Sequence, residues 1–573
     1  MSVSELDGAQ ALVSTLEKHG VEYIFGYSGG AAIPIFDALI TTKTKIKLIL
    51  TRHEQGAAHM ADGYARASGK PGIVLVTSGP GAGNTVTGLM TAQMDSVPII
   101  VISGQQIRSM LGMDAFQEAD IFNMTMPVVK HSYLIRETND IPSIVDEAFH
   151  IATTGRPGPV LIDIPKDVSS GDFSGEFDKP IDLPAYKQPA TIDHKKIQAI
   201  ADAWAKAKNP VILAGHGVLI SGAHKQLTKL AEQMDTPVTT TLLGKGAFPE
   251  THQLSLGMLG MHGTAYANKA MVECDFLLNI GSRFDDRIVG APAAFCKDAF
   301  IAHVDIDASE IGKMIHPNAA VVADAKAGIE ALSKTVKAQK HNDWNKHLDE
   351  YRQKYPLTYS DKNGLTMQKV IDEVYKFTKG KAIAVTDVGQ HQMWAAQFYK
   401  TDDPHMWLSS GGAGTMGYGF PGAIGAQFAR PNDDVIAFVG DGGFQMTLFE
   451  LATACIHKLP LKIFVLNNHY LGMVRQWQEL FFDNRESGVD LEGNPDFAAL
   501  AEAYGAKGVN ITSADQIDAK LKEAWAVTDR PVVINVEVIK TDNVYPMVPA
   551  GAPLESMIVT APTTKLAKPT GST

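Results

Sequence analysis

The stretch that decides the fold is VIAFVGDGGFQMTLFELATACIHKLPLKIFVLNN, Val435 to Asn468. Two apolar runs, VIAFVG and KIFVLN, enclose a segment with the composition of a helix. This order predicts a strand, a crossover helix and a parallel strand, because a right-handed βαβ unit needs about this length. Asp441 and Asn468 then follow neighbouring strands at the sheet edge where open α/β folds bind ligands.

The polar residues at these strand ends predict a magnesium site. Asp441 and Asn468 offer oxygen ligands, which Mg²⁺ prefers, and it takes the rest of its shell from phosphate and water. The glycines of GDG let a phosphate approach closely, and the next helix directs its first amide groups at the anion. The alternative, an ordinary strand-to-helix turn and an ordinary turn opener, remains open on these residues alone.

The same order of an apolar run, a glycine turn and an Ala-rich stretch recurs along the chain; examples of the run and turn are GIVLVTSG, PVILAGHG and FLLNIGS. This alternation is typical of parallel α/β sheets covered by helices. Two polar segments, about Glu176 to Lys195 and Ala338 to Gly364, are interpreted as linkers. The prediction is an α/β fold of three doubly wound parallel-sheet domains, at residues 1–180, 190–340 and 365–573.

Composition narrows the functional classes. With 51 Lys and Arg against 63 Asp and Glu, the net charge of −12 disfavours a nucleic-acid or anionic-membrane surface. The N-terminal residues lack a signal-peptide pattern, and no apolar run approaches a membrane span. We therefore expect a cytoplasmic protein. Cys274, Cys296 and Cys455 are scattered, which predicts buried, inert thiols instead of disulfides or a zinc site.

A second candidate site lies in TRHEQGAAHMADGYARASG, where Glu54 opens a small-residue helix. A zinc-protease HExxH motif is excluded because Ala57 stands in place of its second histidine. On these residues alone, Glu54 is a carboxylate stabilised at a helix N-terminus. The following VTSGPGAGN lacks the GK[ST] of a Walker A loop, and its Asn84 stands where a Rossmann fingerprint has its third glycine.

Between Gly442, the last residue of GDG, and Asn467, the first residue of NN, there are 24 residues. This spacing resembles the signature of thiamine diphosphate enzymes. The resemblance implies that Asp441, Asn468 and the main-chain oxygen of Tyr470 bind Mg²⁺. It implies that Met416, otherwise a gap-filling side chain, props the cofactor into its bent form. Other residues that it implies at the cofactor are Pro80, Asn84, Val388, Gly389, Gln390, His391, Gly414, Gly442, Gly443, Leu471, Gly472 and Met473.

In that family a buried glutamate binds the pyrimidine ring and keeps its nitrogen protonated, which activates the cofactor. Glu54 matches this residue in the context KLILTRHEQGAAHMADGYAR. The resemblance therefore implies a catalytic role for Glu54, and VTSGPGAGN is interpreted as a turn beside the pyrimidine.

Within these enzymes, nearly the whole chain resembles the catalytic subunits of the acetohydroxyacid synthase (acetolactate synthase) family. The resemblance rests on FGYSGGAAIPIFDAL, GMDAFQEAD, RPGPVLIDIPKDV, GMLGMHGTAYANKA, GSRFDDRI, YLGMVRQWQ and PMVPAGAPLESMI. It implies that the enzyme decarboxylates pyruvate and transfers the two-carbon unit to pyruvate or 2-oxobutyrate, in branched-chain amino-acid synthesis. It implies that Arg287 binds the carboxylate of the acceptor, the second 2-oxo acid. It also implies that Trp477 favours 2-oxobutyrate as the acceptor by packing against its extra methyl group.

Simpler roles exist for these residues: an ion pair of Arg287 with Asp285 or Asp286, and a core or interface position for Trp477. The resemblance also implies that Gly30 offers its amide to a developing oxyanion. Ser28 departs from the family, since many relatives have proline there, and it loosens this turn. Further residues implied at the site are Ala31, Gln105, Phe116, Gln117, Lys166 and Met261; a lysine placed like Lys166 is often merely solvated.

The middle segment VILAGHGVLISGA only partly matches a dinucleotide turn, because Ile220 breaks the G-x-G-x-x-G pattern. Family resemblance implies FAD without net redox work in this domain. The strand-end acids are also common helix caps. The positions that match FAD contacts are Arg156, Gly215, Gly217, His262, Gly281, Arg283, Asp305, Asp307 and Asp324.

Glu54 and Asp441 lie in different predicted domains but must reach opposite ends of one cofactor. Family members achieve this across a dimer interface, which implies at least a homodimer, or a dimer of dimers, and some recruit a small regulatory subunit. Two alternatives remain at this point: an FAD-dependent oxidoreductase of pyruvate-oxidase type, and a non-catalytic scaffold that retains the fold.

Overall fold

The computed structural model describes residues 6–186 and 191–562. The predicted linker from Glu176 to Lys195 includes residues 187–190, and the predicted domain ranges include residues 1–5 and 563–573; all of these lie outside the described residues. Three six-stranded sheets, all parallel, carry the fold, together with one short antiparallel pair. None of the helices in the described ranges is both long and apolar enough to cross a membrane.

The first sheet has the strand order β3-β2-β4-β5-β7-β6, and β1 pairs with β8 outside it. Apolar clusters cover both faces of the sheet. Its elements are β1 (Leu6–Asp7), α1 (Gly8–Lys18), β2 (Tyr23–Tyr27), α2 (Ile33–Thr41), β3 (Lys47–Leu50), α3 (Glu54–Ser68), β4 (Gly72–Val76), α4 (Pro80–Gly83), α5 (Val86–Asp95), β5 (Ile99–Gln105), α6 (Ile121–Thr125), β6 (His131–Leu134), α7 (Ile141–Thr153), β7 (Val160–Pro165), α8 (Lys166–Ser169) and β8 (Asp172–Phe173).

The second sheet has the order β11-β10-β9-β12-β13-β14. Counted within the sheet this is 3-2-1-4-5-6, the order of dinucleotide-binding folds. Its elements are α9 (His194–Trp204), β9 (Pro210–Ala214), α10 (His216–Ile220), α11 (His224–Met234), β10 (Val238–Thr240), β11 (Ser255–Met258), α12 (Ala265–Glu273), β12 (Phe276–Ile280), α13 (Asp286–Val289), β13 (Phe300–Asp305), β14 (Ala319–Val322), α14 (Ala325–Thr335) and α15 (Asn342–Lys354).

The third sheet has the order β16-β15-β17-β18-β20-β19, which repeats the order of the first. The βαβ unit predicted from Val435 to Asn468 is confirmed, since β17 and β18 pair in parallel. The elements are α16 (Met367–Thr378), β15 (Ile383–Thr386), α17 (Gln390–Phe398), β16 (Trp407–Ser409), α18 (Gly419–Ala429), β17 (Val435–Gly440), α19 (Asp441–Thr447), α20 (Leu451–Ile456), β18 (Lys462–Asn467), α21 (Gly472–Phe481), α22 (Phe497–Ala503), β19 (Lys507–Ile511), α23 (Ile517–Trp525) and β20 (Val532–Glu537).

The charged segment interpreted as a linker, Ala338 to Gly364, differs from that interpretation because it contains α15. Trp344 and Leu348, one helical turn apart, are buried against the second sheet's core. The indole nitrogen of Trp344 also donates a hydrogen bond to Pro210 O at 3.1 Å. This buried i, i+4 pair docks an otherwise polar helix, together with hydrogen bonds from His347 and Tyr351 to the Glu273 carboxylate.

The first and third sheets share one apolar core, built around α3 and α18. These helices approach so closely that a Cβ on Gly425 would lie 1.9 Å from Met60 O, and one on Gly63 would lie 2.1 Å from Gly422 O. Glycine is required at such contacts because any side chain would force the backbones apart. The close contact fixes the two sheets relative to each other.

The cysteine prediction agrees with the structure. Cys274 and Cys296 are buried and Cys455 is partly buried, and all three are free thiols. The sulfur atoms of Cys274 and Cys296 lie 3.7 Å apart. Burial raises the pKa of the Cys296 thiol well above its ordinary value, which makes it a poor nucleophile.

Candidate active site

In each of the three sheets, some of the predicted residues follow the two parallel strands between which the strand order reverses. In the third sheet the reversal falls between β15 and β17, which are followed by Asp387 and Asp441. In the second it falls between β9 and β12, followed by Gly215 and Gly281. In the first it falls between β2 and β4. Such crevices are the usual ligand sites of open α/β sheets.

Asp441 is the first residue of α19 and is almost fully buried. Its carboxylate accepts a 2.6 Å hydrogen bond from the Asn494 side chain, which also donates to Asn467 Oδ1 at 3.1 Å. Burial raises the pKa of Asp441 to about 6. Asn468, at the end of the neighbouring strand, is also buried. Sequence reasoning missed Asn494, which no spacing connects to Asp441.

The donor set around Asp441 suits a divalent cation. A carboxylate, an amide oxygen and a main-chain oxygen are hard ligands, and a cation would offset the cost of burying the Asp441 charge. Among the described residues there is no cluster of three or more His, Cys, Asp or Glu side chains with metal-site geometry. The predicted set contains only one carboxylate, as expected for Mg²⁺ held partly by phosphate.

Met416 lies in a loop, residues 410–418, that is hydrogen-bonded at both ends. At its far end the amides of Gly417 and Gly419 donate to the Asp387 carboxylate at 2.9 to 3.1 Å. Asp387 is fully buried, and burial raises its pKa to about 6. These contacts fix the backbone that follows Met416. Asp387 is a second residue that the sequence analysis did not identify.

Two buried polar atoms near this loop lack hydrogen-bond partners among the described residues: His391 Nε2 and Gln390 Oε1. Burial lowers the pKa of His391 to about 3, so the ring is neutral. Unpaired buried polar groups are costly in a native fold. Both residues line the cavity, and the atoms are available to a polar ligand such as a diphosphate with its cation.

The residues predicted from the N-terminal sequence converge at the carboxyl edge of the first sheet. Glu54 begins α3 and is 8% exposed. Its Oε2 accepts a 3.0 Å hydrogen bond from Asn84 Nδ2. A Cβ on Gly81 would lie 3.3 Å from Glu54 Oε1, and one on Gly29 would contact Thr77. The SGPG turn therefore packs on the Glu54 carboxyl group, and the turn that carries Gly30 packs on Thr77.

Gln105 is only 3% exposed, and its amide is already hydrogen-bonded. Its Nε2 donates to Asp163 Oδ2 at 2.9 Å and to Ala119 O at 2.8 Å. Burial raises the pKa of Asp163 to about 7. Gln105 therefore connects the end of β7 to the loop that carries Phe116 and Gln117. In contrast, the Phe116 side chain is 82% exposed.

A cavity of about 1010 Å³ joins the sites of the second and third sheets. It is at the upper end of the range for one small-molecule site. From the predicted cofactor and substrate residues, its lining includes Arg156, Gly217, Met261, His262, Gly281, Arg283, Arg287, Asp305, Asp324, Val388, Gly389, Gln390, His391, Gly414, Met416, Asp441, Gly442, Gly443, Asn468, Tyr470, Leu471, Gly472, Met473 and Trp477.

Nine predicted residues of the first domain do not line this cavity, although Arg156 of the same domain does. These residues are Gly30, Ala31, Glu54, Pro80, Asn84, Gln105, Phe116, Gln117 and Lys166. Gly215 and Asp307 of the second sheet are not in its lining either. The single chain thus brings the predicted residues together as two groups, one at the first sheet and one in the cavity.

At the second sheet, Gly215 and Gly217 pack directly on Gly281, where any Cβ would clash with backbone. Asp307 and Asp324 both accept hydrogen bonds as helix caps, which is the simpler role considered from the sequence. Arg156 bonds to Glu310 at 2.8 Å. His262 Nε2 is buried without a partner among the described residues, and burial lowers the pKa of its ring to about 4.

Arg287 and Trp477 approach the same cavity from different domains. The Arg287 guanidinium is 60% exposed and lies 3.7 Å from Asp286, a weak surface pair that leaves the cation free to bind a ligand. The Trp477 ring packs on Phe481, with centroids 4.9 Å apart. One cationic and one aromatic side chain therefore face a shared space.

Comparisons with known proteins identify the family of the chain. Three family models match: the thiamine pyrophosphate enzyme N-terminal TPP binding domain at residues 6–124, the central domain at 197–332 and the C-terminal TPP binding domain at 387–536. The acetolactate synthase large subunit of Lactococcus lactis is 47% identical, with 96% of each chain covered. That of Haemophilus influenzae is 44% identical, covering 98% of this chain and 99% of its own.

Acetolactate synthase from Mycobacterium leprae is 46% identical over 96% of this chain and 90% of its own. The pyruvate-oxidase alternative is not favoured by these relatives. The two TPP binding domains support thiamine diphosphate as the cofactor. Sequence similarity over nearly the full length and the three matching domains lead to one conclusion: this chain belongs to the thiamine pyrophosphate enzymes and, within them, to the acetolactate synthase family.

Proposed function

We propose that the chain condenses pyruvate with pyruvate or 2-oxobutyrate, at a site that holds thiamine diphosphate, Mg²⁺ and FAD and is completed by a second copy of the chain. One observation carries the proposal. The cavity contains the predicted diphosphate, metal and substrate residues, whereas Glu54 and its neighbours form a separate group at the first sheet. Both groups belong to one cofactor only if they meet across an interface.

The diphosphate end of the cofactor fits the third sheet. Asp441, Asn468 and the main-chain oxygen of Tyr470 would hold Mg²⁺. The unpartnered His391 Nε2 and Gln390 Oε1 would find polar partners beside it. Thiamine diphosphate, when bound, supplies a centre that stabilises the negative charge formed as a 2-oxo acid loses CO₂.

FAD fits the second sheet for two reasons. The 3-2-1-4-5-6 strand order is that of dinucleotide-binding folds, and His262, whose buried Nε2 has no partner among the described residues, lines the cavity. Arg156, Arg283 and Asp305 would contact the flavin or its ribose and phosphates. Since the relatives are named synthases, we assign the flavin no net redox role.

Glu54 has the environment required of a proton-holding group. Asn84 occupies Oε2, so Oε1 remains to share a proton with a ring nitrogen of the thiamine pyrimidine. The carboxyl group is buried, which strengthens that hydrogen bond by excluding water. The Gly30 amide, in the adjacent turn, would donate to an oxyanion that develops on the substrate.

The acceptor substrate would lie between Arg287 and Trp477. The guanidinium can bind a planar carboxylate through two parallel hydrogen bonds. The indole face would pack against the ethyl group of 2-oxobutyrate, a contact worth about 1 to 3 kcal/mol of discrimination. Met261 lies beside Arg287, since its sulfur is 3.9 Å from the guanidinium. Phe116, Gln117 and Lys166 would close the site from the second copy.

The exposed side chains around the first sheet's group support a second copy. Phe116 is 82% exposed and Met113 in the same loop is 68% exposed. Exposed apolar side chains beside a substrate site are expected where another subunit covers them. We further propose a small partner subunit, because two of the relatives are named large subunits. We keep the cytoplasm as the proposed location, where free thiols persist.

The test is product analysis. Purified protein with thiamine diphosphate, Mg²⁺ and FAD receives equal pyruvate and 2-oxobutyrate, and acetolactate and acetohydroxybutyrate are quantified. Both products should form, with acetohydroxybutyrate in excess. Glu54→Gln should abolish both, whereas Glu22→Gln, at an exposed glutamate paired with Lys70, should leave them unchanged. Flavin reduction by pyruvate without either product would reject the proposal.

A further inference from the structure

Asp95, the last residue of α5, lies where all three sheets' domains meet. Its carboxylate accepts hydrogen bonds from the amides of Gly411 at 3.0 Å and Gly412 at 2.6 Å, in the Met416 loop of the third domain. Its main-chain oxygen accepts a 2.9 Å hydrogen bond from His216 Nδ1 in the glycine turn of the second domain. Burial lowers the pKa of His216 to about 4, so this ring is neutral.

The Asp95 carboxylate is fixed by a buried cation. Arg66 Nη2 donates to Asp95 at 2.8 Å, while Arg66 Nε donates to Asp62 at 2.6 Å. The Tyr418 hydroxyl donates to Asp62 at 2.8 Å. Asp62 and Asp95 therefore share the guanidinium of Arg66. The two carboxylates differ in how they contact the Met416 loop. Asp95 accepts hydrogen bonds from main-chain amides of the loop, whereas Asp62 accepts one from the Tyr418 side chain.

A second contact from α5 reaches the same loop. The hydroxyls of Thr91 and Thr415 lie 2.7 Å apart and are buried. Thr415 N also donates to Ser410 Oγ at 3.0 Å. The start of the Met416 loop is thus held by α5, and its end is held by Asp387. Both α5 residues and loop residues contribute to the cavity wall: Met94, Asp95, Gly411, Gly412 and Met416.

We propose that Asp95 is a positioning residue for the thiamine cofactor, which acts by holding the Gly411 and Gly412 amides and so fixes Met416 in the cavity. The inference rests on the proposed placement of the cofactor against Met416. Charge-assisted hydrogen bonds from two consecutive amides to one carboxylate fix a short glycine-rich segment that would otherwise have many conformations. An ordered loop binds its ligand without paying the entropy of ordering.

The experiment measures thiamine diphosphate binding by calorimetry in the presence of Mg²⁺, with melting temperature recorded in parallel. Asp95→Asn keeps the side-chain shape but loses the charge, and it should weaken binding by about 10- to 100-fold, as loss of an outer-shell partner commonly does. Asp62→Asn is the matched control, since it removes the other carboxylate on Arg66. It should lower the melting temperature but change binding by less than about 3-fold.

The outcomes separate this inference from the proposed function. Equal weakening in Asp95→Asn and Asp62→Asn would mean that the junction only joins domains, and would overturn the inference. If thiamine diphosphate binding is weakened in Met416→Ala but not in Asp95→Asn, the inference about Asp95 is overturned, while the proposed placement of the cofactor against Met416 stands. Unchanged binding in both would reject the placement and the inference together.

If Asp95→Asn does not fold, Thr91→Val provides the second test. It removes the other hydrogen bond from α5 to the loop without removing a buried charge. Binding should weaken by about 2- to 10-fold, the range for a neutral hydrogen bond. Unchanged binding in Thr91→Val would show that α5 does not position the loop.

Discussion

Asp163 is a single buried carboxyl group whose titration should be visible in stability. Burial raises its pKa from the ordinary 3.8 to about 7, so the folded protein holds the proton more tightly than the unfolded chain. This stabilisation is complete below about pH 4 and is lost as pH rises through about 7, by about 1.4 kcal/mol per pKa unit. Asp163→Asn is permanently neutral. The melting temperature of wild type minus that of Asp163→Asn should therefore fall from pH 5 to pH 8.

The control for this prediction is Asp178→Asn, at an exposed carboxylate paired with Lys18. Its melting temperature should follow that of the wild type across the same pH range. If the curves for wild type and Asp163→Asn run parallel from pH 5 to pH 8, the Asp163 carboxyl group does not titrate in this window.

Substitutions at Trp477 and Phe481 can distinguish an effect on protein stability from an effect on the choice of acceptor substrate. The two rings contact each other, but of the pair Trp477 lines the cavity and Phe481 does not. Trp477→Leu should lower the ratio of acetohydroxybutyrate to acetolactate by about 10-fold or more, because the methyl contact of 2-oxobutyrate is lost. Phe481→Leu should lower stability and leave the ratio unchanged. A similar ratio in both variants would remove the specificity role of Trp477.

The residues that sequence analysis missed share one physical property. Asp95, Asp387 and Asn494 act through hydrogen bonds to chain segments that are distant in sequence. In their own neighbourhoods, MDSVP, TDVG and EGNPD, no spacing relates these three residues to their partners. Asp441 was predicted as a ligand-site residue because it follows a strand within a glycine turn, whereas the role of Glu54 was predicted only from its resemblance to the family's motif. Local spacing identifies residues at strand ends, but it carries no information about which distant segment will pack there.

At the scale of elements, the contact between α3 and α18 should be intolerant of any side chain at Gly425. A methyl group there would lie 1.9 Å from Met60 O, which requires the helices to separate. Gly425→Ala should destabilise the protein by about 3 kcal/mol or more, at or above the usual range for overpacking. Gly83→Ala is the control, since a Cβ there meets no atom within 4 Å. Scanning calorimetry should show a lower melting temperature for Gly425→Ala alone.

Elements differed in how readily sequence predicted them. The strands were predictable because buried parallel strands are continuous apolar runs that end in turn residues. The strongly charged composition of α15 predicts a linker, because the buried face of this helix consists of little more than Trp344 and Leu348. A polar segment therefore needs its packing partner to be known before a docked helix can be distinguished from a linker.

The strand orders of the three sheets follow a pattern that no short sequence motif predicts. The first and third sheets have the same strand order, although their sequences do not align by eye, and the second has the dinucleotide-binding order. Strand order depends on which runs pair, and pairing is a long-range property. The glycine turns found in the sequence nonetheless follow the strands between which the order of each sheet reverses. The glycine turns therefore lie where open α/β sheets usually bind ligands, which supports the predicted sites.

The arrangement of the two residue groups gives a prediction for the assembled protein. If a site takes Glu54 from one copy and Asp441 from the other, a heterodimer of Glu54→Gln and Asp441→Asn chains has one doubly altered site and one intact site. Co-expression with two different affinity tags, followed by purification on both, isolates this heterodimer. It should show about half of the wild-type activity per dimer, although each variant homodimer is inactive.

The opposite arrangement gives the opposite result. If Glu54 and Asp441 of the same chain shared a site, both sites of the heterodimer would be defective and its activity would equal that of the inactive homodimers. A heterodimer of Glu54→Gln with a differently tagged Glu54→Gln chain is the control for recovered activity, since it should remain inactive in either case. Restored activity therefore requires the two residue groups to meet between copies, because within one chain Glu54 does not line the cavity that contains Asp441.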